Sequence, residues 1–461
     1  LLENYEDAIY YFDEEGKMVK NTWVAVDQSQ VYNQMDYPPS IYLYYFGNNG
    51  KAYRASSGIV RKTIDGKKYL FNEDGQMLSG WIDENGERYN ELENIEDDPF
   101  VGYCYYAGDE TDGVLREGWS YWEEGSTDDR YYEKQGMWFY FKPSDNKKYQ
   151  SSSSSKLETK VINGKTYAFD SDGVMTEGWD AEALDPNNED IGVTAKKYYI
   201  NGTADSGRQV KKEWFFAVPS KKQDLDDHDT ETERWFYASG SGEATKNVMK
   251  KINTDYYVFD ANGIMKSGLV VVEKGTNKFI DVLDAEETDG KDFVISRYYM
   301  NDSNFKWFDD STQHLFYFNE DDTDTENFGK RVVTNNAKVA FGDDDYDFWS
   351  KRTGEVEGEK DNKFYQNGIK LKAEKSVGFG LVFVGYSANN IPVSADQKPS
   401  YHMTTQEHSW AREDKNHAGI WSDYMVLSYE DAITEGMYPV FYAVDTTGKK
   451  IKKNNSVKKD M

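Results

Sequence analysis

Internal repetition constrains this chain more than any other feature, because a sequence that repeats folds as a stack of similar units. Three segments superimpose. The first runs from Ile64-Asp65-Gly66 through Tyr69 and Phe71 to Gly75, Met77, Gly80 and Trp81. The second places Ile162, Asn163, Gly164, Tyr167, Phe169, Gly173, Met175, Gly178 and Trp179 at the same offsets. The third keeps Ile252, Asn253, Tyr257, Phe259, Gly263, Met265 and Gly268, with Leu269 in place of the tryptophan. A faint fourth copy retains Asn335, Asn336 and Phe341. Phe71, Phe169, Phe259 and Phe341 are separated by 98, 90 and 82 residues, so other units fill each interval. Ring clusters at Tyr44-Tyr45-Phe46, Phe139-Tyr140-Phe141, Phe236-Tyr237 and Phe316-Tyr317-Phe318 form one such series. Paired tyrosines at 10–11, 105–106, 198–199 and 298–299 form another.

Each unit reads as a β-hairpin. Asp65-Gly66 and Asn163-Gly164 are two-residue turn signals in which both central residues need positive φ. Tyr69 and Phe71 share one face of the following strand and Leu70 takes the other. Gly75, Gly173 and Gly263 close the next turn, and Met77, Met175 and Met265 return along the neighbouring strand. An isolated hairpin is marginal in water, so the units are expected to stack. The expected fold is all-β: an elongated β-solenoid of stacked hairpins in supermodules of about 80–100 residues. Four supermodules are placed at 1–92, 93–188, 189–280 and 281–360, the last degenerate, with a divergent module at 361–461. There, Ser376 to Tyr386 reads as a buried strand, 429–436 as a short helical turn, and Phe441-Tyr442 with Gly448 as a returning hairpin.

Composition explains what holds such a stack together. The chain has 36 Tyr, 24 Phe and 12 Trp among 461 residues but only 38% hydrophobic residues, so burial must come from many small ring clusters rather than one aliphatic core. The formal charge is 54 − 83 = −29. Much of the acid lies between units, at Glu91 to Asp98, Asp224 to Glu233, Glu320 to Glu326 and Asp343 to Asp347. These stretches, with the serine run Ser151 to Ser155, read as solvated insertions. Such a charge repels phosphate backbones and anionic bilayers, so nucleic acid is not an expected partner. No apolar run reaches about 18 residues, so no membrane span is expected. One cysteine, Cys104, leaves no internal disulfide framework. The start at Leu1 reads as a processed product or a fragment.

The motif Tyr-x-Phe-Asp/Asn-x-x-Gly-x-Met-x-x-Gly-Trp, strong at residues 62–81, 160–179 and 250–269 and weaker at 103–119, resembles the cell-wall-binding repeat family. That family includes choline-binding modules of surface proteins, glucan-binding repeats and toxin receptor-binding repeats. The resemblance implies a secreted or cell-surface, non-catalytic protein that attaches to cell-wall polysaccharide, choline-bearing teichoic acid or α-glucan. Carried over by position, the family's aromatic cage nominates Trp81, Trp119 and Trp179, with Tyr69 and Tyr167 as strand aromatics and Met77 and Met175 as cage floors. Two other readings belong to the same sequence: a stalk, fibre or adhesin that self-associates or meets a surface protein, and the targeting part of a larger hydrolase or toxin.

Catalysis needs a constellation that the sequence does not offer. His402, His408 and His417 are spaced by six and nine residues, which fits no zinc helix or finger. With 83 acidic residues, carboxylate pairs arise everywhere by chance. No cofactor is expected; acidic insertions such as Asp224, Asp226, Asp227, Asp229 and Glu231 suit Ca²⁺ in charge, and none of them matches an EF-hand.

Overall fold

The computed structural model describes residues 1–5, 8–31, 40–89, 98–123, 136–184, 195–202, 205–283, 312–341, 344–356, 358–366, 368–372, 379–387, 402–404 and 438–449. These residues are mainly antiparallel β-structure, with short helices at Asp180–Leu184 and Leu225–Asp229. They fall into two compact units. One comprises 1–213 with 219–231 and 238–244; the other comprises 214–218, 232–237 and 245–461.

The first unit is a succession of two- and three-stranded hairpin sheets. The strands Leu2–Tyr5 and Ala8–Tyr11 pair first, then Thr22–Asp27 with Ile41–Phe46, and Val60–Ile64 with Lys67–Phe71 and Met77–Leu78. Trp81–Ile82 pairs with Tyr105–Tyr106, Gly118–Trp122 with Met137–Phe141, Glu158–Ile162 with Lys165–Phe169, and Gly178–Trp179 with Tyr198–Tyr199. The expected turns form: Asp65 and Gly66 have φ of 50° and 81°, and Asn163 and Gly164 have 50° and 80°. Alternation along the strand also holds. Tyr69 and Phe71 enter one buried cluster and Leu70 another on the opposite side.

A second turn follows the last strand of most hairpins and is built around an Asp or Asn. Asp170 Oδ1 accepts the backbone N–H groups of Asp172 and Val174 at 3.0 and 2.9 Å, and Asp13 accepts those of Glu15 and Lys17. The residue after this turn bridges back to the strand: Met18 to Phe12, Ala52 to Phe46, Met77 to Phe71, Lys148 to Phe141, Met175 to Phe169 and Gln209 to Tyr199. Its own N–H then reaches the preceding hairpin, as in Ala52 to the Ile9 carbonyl, Lys148 to Cys104, Met175 to Trp138 and Gln209 to Thr166, at 2.7–2.9 Å. One such backbone hydrogen bond joins each of these four hairpins to the one before it.

The second unit begins in the same way. Trp214–Ala217 pairs with Arg234–Tyr237, and Val248–Ile252 with Asp255–Phe259 and Met265–Lys266. The pattern then changes. Gly268–Glu273 is buried along nearly its whole length between Phe279–Val282 and Gln313–Phe318. Residues 334–371 form one six-stranded sheet. Its core joins Leu269, Val271, Leu315, Val339, Phe348, Ile369, Leu371 and Val444, so an aliphatic core exists where only ring clusters were expected. Leu269 is the reason: the residue in the tryptophan's place packs into that cluster.

Several expected insertions are structured. Of the expected insertion at 343–347, residues 344–347 belong to the strand Asp344–Lys351, and Asp347 is buried and paired with Lys338, with Lys370 at 2.9 Å and with Lys372 at 3.3 Å. Asn335 and Asn336 lie inside the strand Thr334–Phe341 at a shift of register, not at a turn. Asp224 caps the short helix Leu225–Asp229 by accepting the Asp227 N–H. Ser151 is buried and donates its N–H to the Asp170 carbonyl, so the serine run starts inside the stack. The expected strand near Ser376 to Tyr386 is Phe379–Ser387, paired with Tyr438–Asp445. The expected helical turn at 429–436 and two of the three clustered histidines, His408 and His417, lie outside the described residues.

Candidate aromatic binding sites

The hairpins build one arrangement of rings three times, twice in the first unit and once in the second. In the first nest, Trp23 sits opposite Tyr45 on the paired strand and over Tyr69 and Phe71 of the next hairpin. Its ring centroid lies 5.2 Å from Tyr45, 4.9 Å from Tyr69 and 5.9 Å from Phe71. In the second nest, Trp119 lies 5.3 Å from Tyr140, 4.8 Å from Tyr167 and 5.9 Å from Phe169. In the third, Trp214 lies 5.2 Å from Tyr237, 4.7 Å from Tyr257 and 5.7 Å from Phe259. Tilts repeat as well: both tyrosines meet the indole edge-on at 62–68° and the phenylalanine lies beneath it at 21–32°. The phenylalanine is fully buried, while the three tryptophans and their cross-strand tyrosines are half-buried and reach the surface.

A methionine stands at the bridge position of each nest: Met77, Met175 and Met265. A half-buried lysine also lies over a rim tyrosine in every copy: Lys62 over Tyr53 at 5.5 Å, Lys160 over Tyr149 at 5.3 Å and Lys250 over Tyr237 at 5.7 Å. Burial pushes the Tyr45, Tyr69 and Tyr257 hydroxyls up from their ordinary range, so these rings stay neutral at physiological pH. Neutral, electron-rich faces meeting at one partly open point attract organic cations by about 0.5–2 kcal/mol per contact. They also suit the C–H face of a sugar.

Among the residues nominated from sequence, Trp119, Tyr167 and Met175 come together in the second nest, and Tyr69 and Met77 in the first. Trp81 and Trp179 are placed differently: they are 3% and 1% exposed. Trp81 is packed by Phe100, Tyr106, Trp122, Phe139 and Phe141, and its indole N–H is buried without an acceptor among the described residues. Trp179 packs on Tyr198 at 5.3 Å beside the half-buried Glu182, whose carboxyl is pushed up to about 7 by its partial burial. Sequence reading passed over Trp23 and Trp214 because the left-handed residue before them is not the glycine of Gly-Trp. It lies two places earlier, at Asn21 (φ 51°) and Lys212 (φ 54°). The available signal was spacing: Trp23, Trp119 and Trp214 recur at 96 and 95 residues.

The fold and these nests define an all-β repeat protein of hairpins joined through rings. No family model matches the chain, and no curated protein matches it. Among solved structures, it is similar to choline binding protein F from Streptococcus pneumoniae, at 17% identity and a TM-score of 0.35 over 80% of this chain and 92% of that one. It is similar also to the choline-binding domain of CbpL from Streptococcus pneumoniae, at 18% identity and a TM-score of 0.28 over 57% and 96% of the two chains. A third is the modular autolysin LytC from the same organism, at 14% identity and a TM-score of 0.33 over 73% and 52%.

Proposed function

We propose that this chain is a non-catalytic cell-surface protein that attaches to a cell-wall polymer through its aromatic nests. The repetition of one four-ring geometry around Trp23, Trp119 and Trp214 carries this reading, since rings serving only as core have no reason to keep half-open tryptophans at three matched positions. The preferred ligand group is a quaternary ammonium such as the choline of a teichoic acid, which fits neutral ring faces where rim lysines already lie. Trp119, Tyr167 and Met175 form the second site, and Tyr69 and Met77 contribute to the first. The hairpins are read as β-solenoid supermodules as set out above, and several weak sites carried on one chain give useful avidity on a polymer.

A second reading, α-glucan binding, is favoured by two exposed cross-strand ring pairs. Tyr121 and Trp138, and Phe216 and Trp235, each have centroids 4.9 Å apart at tilts of 45° and 42° on the outer face of equivalent hairpins, a platform shaped for a pyranose. The deciding experiment is retention of the full chain on purified choline-bearing wall and on α-glucan, with soluble choline and maltooligosaccharide as competitors. Choline elution, weakened retention in Trp119→Ala and no response to maltooligosaccharide are expected. Retention that neither Trp23→Ala, Trp119→Ala nor Trp214→Ala alters would remove the nests as binding sites.

A further inference from the structure

The seam containing Trp81 is built like the three nests but one hairpin out of step. Trp81 pairs across its strand with Tyr106, at a centroid distance of 5.0 Å, and lies over Phe139 and Phe141 of the next hairpin at 5.3 and 6.1 Å. The bridge position that holds Met77, Met175 or Met265 in the nests holds Lys148 here, bridged to Phe141 as Met175 is to Phe169. The equivalence extends to the turn glycine packed on that side chain. A Cβ added at Gly173 would run into the Lys148 stem, just as one at Gly113, Gly207 or Gly329 would run into Met77, Met175 or Met265. The Lys148 ammonium is buried, donates to the carbonyls of Phe100 and Asp172 at 2.5 Å each, and lies 5.8 Å from the Trp81 ring.

We propose that Lys148 is a built-in occupant of the Trp81 seam, its ammonium standing where an external organic cation would sit, so that a cation at the bridge position closes a seam. This rests on the cation-binding reading of the nests. A second cation supports it in the other unit: Arg331, bridged to Phe318, places its guanidinium 4.1 Å from the Tyr256 ring and 5.2 Å from Phe316. A methionine at the same place sets no charge against the tryptophan ring. Lysine supplies that charge on a tether, at an effective concentration no free ligand reaches.

Chemical rescue tests the assignment. Lys148→Ala in the full chain leaves a space matched to a short alkylammonium. Propylammonium chloride at millimolar concentration should raise the thermal midpoint of this variant saturably by several degrees and leave the parent chain unmoved, and 1-propanol should do neither. Equal shifts in both chains, an equal effect of propanol, or no rescue would overturn the proposal. The reciprocal variant Met175→Lys keeps the test independent of whether Lys148→Ala folds: choline stoichiometry should fall by one, and an unchanged stoichiometry in a folded Met175→Lys protein overturns the proposal. Rescue of Lys148→Ala in a chain that never retains choline would remove the ligand reading of the open nests and leave Lys148 as assigned. Choline retention by the parent without rescue would remove the Lys148 assignment alone.

Discussion

Lys148 shows how one side chain in a repeated frame changes the chemistry of its seam. Burial pulls its ammonium down from 10.5 to about 8, and nearby Asp172, Asp170 and Cys104 offset only part of that cost. The sign follows from linkage. Between pH 8 and about 10.5 the unfolded chain binds this proton and the folded chain releases it, so stability rises with pH across that window. Relative to Lys148→Met, the parent chain is expected to gain about 2 kcal/mol between pH 7.5 and 9.5, read from paired urea unfolding curves. A constant difference between the two would show that the lysine titrates as it does in water. Asp347 runs the other way. Burial would raise its carboxyl, but hydrogen bonds from Lys338 and Lys370 and the charges of Lys370 and Lys372 hold it well below the usual carboxylate range. Its contribution is therefore present above about pH 4 and lost on further acidification, and Asp347→Asn is expected to flatten the acid limb of the pH–stability profile.

At the scale of elements, the hairpin is specified by local chemistry. Asn163 and Gly164 both take left-handed backbone angles, and nothing lies within 4 Å of a Cβ built on Gly164. Gly164→Ala therefore isolates backbone strain from packing. It should cost about 1–2 kcal/mol in urea unfolding, and no loss would mean that the turn changes type at no cost. Turn residues and strand alternation were legible in the sequence for this reason: the forces that set them act within a few residues. Asp343 to Asp347 was misread because acid-rich composition marks a loop only while the carboxylates stay in water. Lys338 on the paired strand, together with Lys370 and Lys372 on and just after a strand further along the chain, makes burial of Asp347 tolerable. Leu269 was seen as a lost ring, but the aliphatic core that it enters depends on pairing with residues 313–318.

For the whole molecule, two quantities matter: charge and multiplicity. A formal charge of −29 opposes a compact state at low ionic strength. Raising sodium chloride from 10 to 150 mM shortens the screening length from about 30 to about 8 Å, so the thermal midpoint should rise over that range. A flat response would mean that local pairs, not net repulsion, dominate. Multiplicity predicts that removing one nest weakens retention on polymer far more than it weakens the affinity of each remaining site for free choline. Trp23→Ala, Trp119→Ala and Trp214→Ala, compared on immobilised wall and by choline titration, separate the two. Equal losses in both measurements would mean that the nests do not act together on the polymer.

The sequence by itself determined the repeating hairpin, its turns, the strand faces of Tyr69 and Phe71, and the reliance on rings, because each follows from residue type at short range. It did not determine which tryptophans reach the surface. Gly-Trp marks Trp81, Trp119 and Trp179 alike, yet two are sealed and one is half-open. That difference is set by what is laid against each ring: Phe100 from its own hairpin with Lys148 and Trp122 from the next over Trp81, and Tyr167 with Phe169 and Met175 beneath Trp119. Contacts between units separated by tens of residues carry no local signature, so only the tertiary structure could sort open nests from closed seams.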